Sequence, residues 1–170
     1  MMAAAVLEMF PDAKIAIGPP IESGFYYDFD LPRALTEEDL AVLEKRTREL
    51  IAERVDFEYT EIDQSEGEAF FEGQPYKQEL IADIMERGTD EYGEATDAPV
   101  LSLYKSGGFT DLCRGPHVEN TREINPKAVK LLSVAGAYWR GDSDRPMLQR
   151  IYGTAFEHPK KLREYLNWLE

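Results

Sequence analysis

Apolar residues fall in short blocks separated by glycine, proline and acidic clusters, and the spacing inside each block predicts its element. Residues 2–10 are rich in alanine with Leu7 and Phe10, a helical composition that Pro11 and Asp12 stop. No capping residue precedes this block, so the pattern predicts an element whose first turns lie upstream of Met1. Residues 14–17 and 25–31 are short apolar or aromatic runs on either side of G-P-P-I-E-S-G, the punctuation of a strand hairpin. Thr36 suits the cap of a helix over 37–54, with Glu37, Glu38 and Asp39 in its first turn, where the helix dipole favours acids. Leu40, Leu43, Leu50 and Ile51 give that helix one apolar stripe.

Residues 57–62 alternate loosely as a strand. Ser65 followed by Glu68 reads as a capping box that opens a short helix through Phe71, closed by Gly73 and Pro75. A second helical piece over 76–87 places Leu80, Ile81, Ile84 and Met85 on one side and ends at Gly88. Residues 88–98 are polar and read as an exposed loop before a strand at 100–104. Residues 129–135 and 148–154 flank A-Y-W-R-G-D-S-D-R-P as two paired strands. Pro159 starts a last helix with Leu162, Tyr165, Leu166 and Leu169 facing inward. Irregular alternation of helices and hairpin-linked strands argues for an α+β fold, a mainly antiparallel β-sheet packed with helices. At 170 residues the chain suits a single domain over 1–170.

Charge narrows the possible partners. The formal net charge of -14 is the wrong sign for a free-standing nucleic-acid binder, because affinity for phosphates comes from lysine and arginine. It is uneven: residues 28–97 carry 22 acidic and 7 basic side chains, whereas 122–163 carry 9 basic and 4 acidic. Only the later half suits a polyanion. No apolar run approaches the roughly 20 residues that cross a bilayer, and the first residues have neither a basic start nor a small-residue cleavage site. A lone cysteine excludes an internal disulfide and predicts a reducing, cytoplasmic location without a membrane partner.

Candidate chemistry concentrates in residues 108–121, G-F-T-D-L-C-R-G-P-H-V-E-N-T, which hold Asp111, Cys113, Arg114 and His117 among glycines and a proline. Such side chains are presented from a turn rather than from one helix face. Cys113 and His117, spaced C-x-x-x-H, would make half a zinc site, but there is no second cysteine and the other histidine, His158, precedes Pro159. The count disfavours a closed zinc site and predicts no metal or cofactor. From spacing alone a small buried cysteine and a hydrogen-bonded loop histidine fit equally well.

Five ordered blocks then carry a resemblance: A-I-G-P-P-I-E-S-G-F-Y-Y-D-F at 16–29, P-Y-K-Q-E-L-I at 75–81, T-D-L-C-R-G-P-H-V at 110–118, A-G-A-Y-W-R-G-D-S at 135–143 and L-Q-R-I-Y-G-T-A-F at 148–156. The chain resembles the editing domain of bacterial threonyl-tRNA synthetases, related to the editing module of alanyl-tRNA synthetases. In that family the first helix carries a His-x-x-x-His pair that would fall just upstream of Met1. The resemblance therefore implies a domain truncated at its N-terminus, lacking the ATP-using aminoacylation core and the anticodon-binding domain.

What the resemblance implies is proofreading. Serine differs from threonine by one methyl group, which supplies only about 1–3 kcal/mol of discrimination, so a second site must hydrolyse seryl-tRNA(Thr). The partners implied are the 3′ acceptor end of tRNA(Thr) carrying serine and the remainder of the synthetase chain. Carried over by position, Lys77, Asp111, Cys113 and His117 line the pocket. His117 suits moving a proton or orienting water, and Lys77 suits stabilising an oxyanion or gripping ribose and phosphate. Asp111 suits orienting a cation or the substrate amine, and Cys113 suits shaping the pocket rather than attacking. Tyr26, Tyr27, Tyr138 and Trp139 are candidates for stacking on the terminal adenine or ribose, and Arg114 and Arg140 for phosphate or structural contacts. Two other readings stand beside hydrolysis: a non-catalytic acceptor-end positioning module and a metal-binding module.

Overall fold

The computed structural model describes residues 1–97 and 99–170, and its elements follow the sequence pattern closely. Helix α1 (Met2–Met9) buries Met2, Ala3, Ala5 and Val6 against α2 (Glu37–Ala52). In α2, Thr36 and Asp39 form a reciprocal capping box: the Asp39 N–H donates to the Thr36 hydroxyl, and the Thr36 N–H donates to the Asp39 carboxylate. The predicted stripe of leucines is continued by Thr47, which is buried because its hydroxyl donates to the Leu43 carbonyl at 2.7 Å.

Two antiparallel sheets carry the rest. The larger joins β1 (Lys14–Ile15), β2 (Pro20–Ile21), β3 (Gly24–Asp30), β7 (Val129–Tyr138) and β8 (Met147–Ala155), with β3 and β7 flanking β8. The smaller has the order β4 (Phe57–Ile62), β5 (Leu101–Ser106), β6 (Phe109–Leu112). Helix α4 (Pro75–Arg87) packs against residues of both sheets, α3 (Gln64–Phe70) packs against α4, and α5 (Pro159–Leu169) follows β8. One core cluster holds α1, α2, Phe29, Leu131 and Ile151, and another gathers Leu80, Ile81 and Ile84 of α4 with Leu101, Leu103, Leu112, Trp139 and Leu148. The fold is α+β with antiparallel sheets.

Several local expectations shift. The box that opens α3 is Asp63 with Glu66 rather than Ser65 with Glu68, because Asp63 already satisfies the Glu66 N–H at 2.8 Å. Met85 lies on the exposed edge of α4, and Leu169 with Trp168 is exposed at the end of α5, where only Leu162 is fully buried. Residues 88–97 are not uniformly exposed, since Asp90 and Glu91 are buried; the remaining position of that predicted loop, 98, lies outside the described residues. Trp139 is 2% exposed, packs edge-on against Tyr76 and is a core residue rather than a stacking platform.

Candidate functional site

Strand alternation decides what each tyrosine of F-Y-Y-D-F can reach. Tyr27 and Phe29 share one face of β3 and stack with ring centroids 4.8 Å apart. Tyr26 and Asp28 share the other, where Arg150 lies 3.9 Å from the centre of the Tyr26 ring and forks onto both oxygens of Asp28. Gly18 is needed beside this strand, because a β-carbon there would collide with the Tyr27 ring.

The first turn of α4 aims Lys77 inward, where it is 2% exposed. A buried ammonium near a helix N-terminus is doubly unfavourable, so it requires an anion. Asp111 of β6 supplies it, with Lys77 Nζ 2.7 Å from Asp111 Oδ1. The Tyr27 hydroxyl donates to Asp111 Oδ2 at 2.6 Å, and the Leu112 N–H donates to Oδ1 at 2.8 Å. Both carboxylate oxygens are thereby engaged. Burial, then the Asp111 charge, pushes the Tyr27 hydroxyl well above the ordinary tyrosine range, which keeps it a donor.

Two residues beyond Asp111 the chain leaves β6. Cys113 is tied to β5 by its N–H donating to the Ser102 carbonyl and by the Ser102 hydroxyl donating to its own carbonyl. His117 Nε2 lies 3.2 Å from Cys113 Sγ. Its ring lies flat against Phe57, 5.2 Å between centroids, and edge-on to Tyr104 at 4.3 Å. Gly115 between them has φ +77°, and a β-carbon there would collide with the Tyr104 ring, so the turn needs glycine on two counts. Burial raises the Cys113 thiol above its usual value and lowers His117 below its own. At neutral pH the pair is therefore a thiol beside a neutral imidazole, whose Nε2 accepts from or donates to the sulfur according to the tautomer.

These groups converge on one cavity of about 390 Å³, lined by Tyr26, Tyr27, Lys77, Asp111, Cys113 and His117 together with Glu91 and Tyr92. A second cavity, about 420 Å³, shares Ile17, Tyr26, Glu91 and Tyr92 with the first and continues to Tyr138, Arg140 and Arg150. Six of the ten sequence candidates thus meet in the first cavity, and Tyr138 and Arg140 line the second. Tyr138 is 40% exposed there. Arg140, at φ +56°, pairs with Glu79 and Asp83, and Arg114 pairs with Asp90 at 3.0 Å. Of the two uses expected for these arginines, the described contacts are structural pairings. Tyr27 has one ring face against Phe29 and its hydroxyl committed to Asp111. Among the described residues, no three histidine, cysteine, aspartate or glutamate side chains are grouped to hold a metal.

Sequence reasoning missed Glu91 and Tyr92. Their stretch is polar and glycine-containing, and nothing in its periodicity marks a buried side chain. Asp90 builds the turn that presents them, accepting the Tyr92 and Glu94 N–H groups at 2.9 Å each.

Comparison with known proteins agrees with the α+β fold. Residues 101–152, spanning β5 to β8, match the family model described as threonyl and alanyl tRNA synthetase second additional domain. Over all 170 residues the chain is 54% identical to a threonine–tRNA ligase of Dehalococcoides mccartyi, 49% to one of Borreliella burgdorferi and 45% to one of Borrelia turicatae. It spans about 27% of the length of each of these relatives. No helix among the described residues is long and apolar enough to cross a membrane.

Proposed function

Because the chain belongs to the threonyl and alanyl tRNA synthetase second additional domain family, we propose that it is a proofreading domain that hydrolyses serine from mischarged threonine tRNA. The observation that carries this reading is the convergence of a buried Lys77–Asp111–Tyr27 cluster and a neutral Cys113–His117 pair on one cavity. That cavity has the size of a small-ligand site.

In this reading water adds to the ester carbonyl carbon, the bond from that carbon to the ribose oxygen breaks, and free serine and an uncharged tRNA end result. His117 accepts the proton from water and returns it to the departing ribose oxygen. Lys77 keeps N–H donors beyond the one given to Asp111, and they face the oxyanion. Tyr27 and Asp111 fix that ammonium in place. Cys113 orients the imidazole and remains a thiol. The reading assigns the site no metal, places the domain in the cytoplasm within a longer synthetase that attaches threonine to tRNA using ATP, and has the family's upstream His-x-x-x-His complete the pocket.

The test is deacylation of serylated and threonylated threonine tRNA, with this chain and with a chain extended upstream to include the histidine pair. Selective release of serine by either form supports the reading, and the comparison tells whether the pair is required. Release by neither, with tRNA still bound, replaces it with the acceptor-end positioning module. Stoichiometric zinc in the purified protein would replace it with a metal site.

A further inference from the structure

Glu91 has no part in the chemistry described so far, yet it lies where the two cavities meet and lines both. It is 7% exposed. Its Oε1 accepts the Arg114 N–H at 3.1 Å, and no basic side chain among the described residues pairs with it. The neighbouring cations are committed elsewhere: the Arg114 guanidinium to Asp90, Lys77 to Asp111, and Arg150 to Asp28. A buried carboxylate without a cationic partner is costly and calls for a positively charged ligand.

Asp111, expected to orient a cation or the substrate amine, holds the Lys77 cation and also accepts from Tyr27 and Leu112. We infer that Glu91 binds the α-ammonium group of the aminoacyl ester. This rests on the editing reading and adds to it the residue that recognises the amino acid as an amino acid. An ammonium held at Glu91 lies in the cavity that Lys77, Cys113 and His117 also line, so the ester it carries shares that space with them.

Two probes separate the possibilities: the 3′-seryl amide of adenosine, which is not an ester, and the same compound with hydrogen in place of the α-amino group. Binding to the chain is followed by calorimetry at a pH where the amine is protonated. The expected result is a preference of about tenfold or more for the amine-bearing probe, as befits a charged hydrogen bond in a buried site. Glu91→Gln keeps an oxygen for the Arg114 N–H and should abolish the preference by weakening only the amine-bearing probe, while Glu91→Asp should retain part of it. Equal binding of both probes to the unaltered chain, or equal weakening of both by Glu91→Gln, would overturn the assignment and leave the editing reading standing. Binding of neither probe would overturn both.

Discussion

Helix α4 launches two acid–base networks from residues half a turn apart, and they differ in kind. Lys77 goes inward to Asp111 and Tyr27, whereas Glu79 goes outward to Arg140, Arg145 and the Trp139 indole N–H. In the inner network one buried ammonium is held by a carboxylate whose oxygens are both engaged, and the cavity lies beside it. In the outer one, two partly exposed arginines share Glu79 and Asp83, so acids and bases answer one another at the surface. Both networks pair carboxylates with cationic side chains. What distinguishes a site from a brace is burial, together with donors left over once the protein's own partners are satisfied.

The largest effect expected is on the inner network. Lys77→Met leaves Asp111 without its cation and should cost about 3–5 kcal/mol of stability, read from urea unfolding. The double change Lys77→Met with Asp111→Leu should recover much of that loss, because removing both charges of a buried pair is often neutral. Deacylation should stay abolished in the double variant. A stable double variant that still releases serine would break the contrast, since the inner network would then be a brace as well.

Next comes His117, the proposed proton carrier. Burial lowers His117 from the ordinary histidine value, so the base form persists to lower pH. The acid limb of kcat/KM for seryl-tRNA deacylation should therefore have its midpoint below that value, activity falling as pH drops through it. Stability carries the same sign: a depressed histidine contributes stability above its unfolded value and loses it as pH falls through the folded one. His117→Asn should remove the limb and reduce turnover by about 10²-fold or more. A limb unchanged in His117→Asn would assign the proton to another group.

A smaller effect is expected at Cys113. Its sulfur lies against His117 Nε2 and accepts the Gly115 N–H at 3.3 Å. Cys113→Ala removes both interactions and should slow deacylation by roughly tenfold through a loosened imidazole. Cys113→Ser, which keeps a polar atom there, should lose less. Equal and complete loss in both variants would point to covalent chemistry at sulfur.

Much of the fold was legible because local chemistry and tertiary demand agree. Thr36 with Asp39, Pro75 as the first residue of α4, Gly88 after that helix and the paired blocks around residues 137–146 each encode their own boundary. The site was legible only in part, and the reason is burial of polar groups. Lys77 on a helix reads as an exposed lysine unless Asp111, 34 positions later, is known to meet it. Trp139 stands at the head of a polar turn, where a stacking role and a core role read alike, and its ring fills the core while Glu79 satisfies its N–H. Glu91 sits in a stretch with the composition of a solvated loop, and only the turn built by Asp90 carries it inside. Periodicity reports which apolar side chains are buried and says nothing about a buried charge whose partner is distant in sequence.

The smallest effect should come from the outer network, and it sharpens the comparison most directly. Arg145 lies 2.5 Å from Glu79 but is 40% exposed, so solvent already screens it. Arg145→Gln should leave both the urea midpoint and deacylation almost unmoved, since Arg140 continues to serve Glu79 and Asp83. Arg140→Gln is the more searching change, because Arg140 also borders the second cavity. If its guanidinium is spent on the two acids, the salt dependence of tRNA binding should be unaltered. A shallower dependence on salt in Arg140→Gln would mean that the arginine exchanges its acids for a phosphate when tRNA arrives, because fewer neutralised phosphates release fewer counterions on binding. The brace would then become part of the site in the complex, and the boundary between the networks would be set by the substrate rather than by the fold.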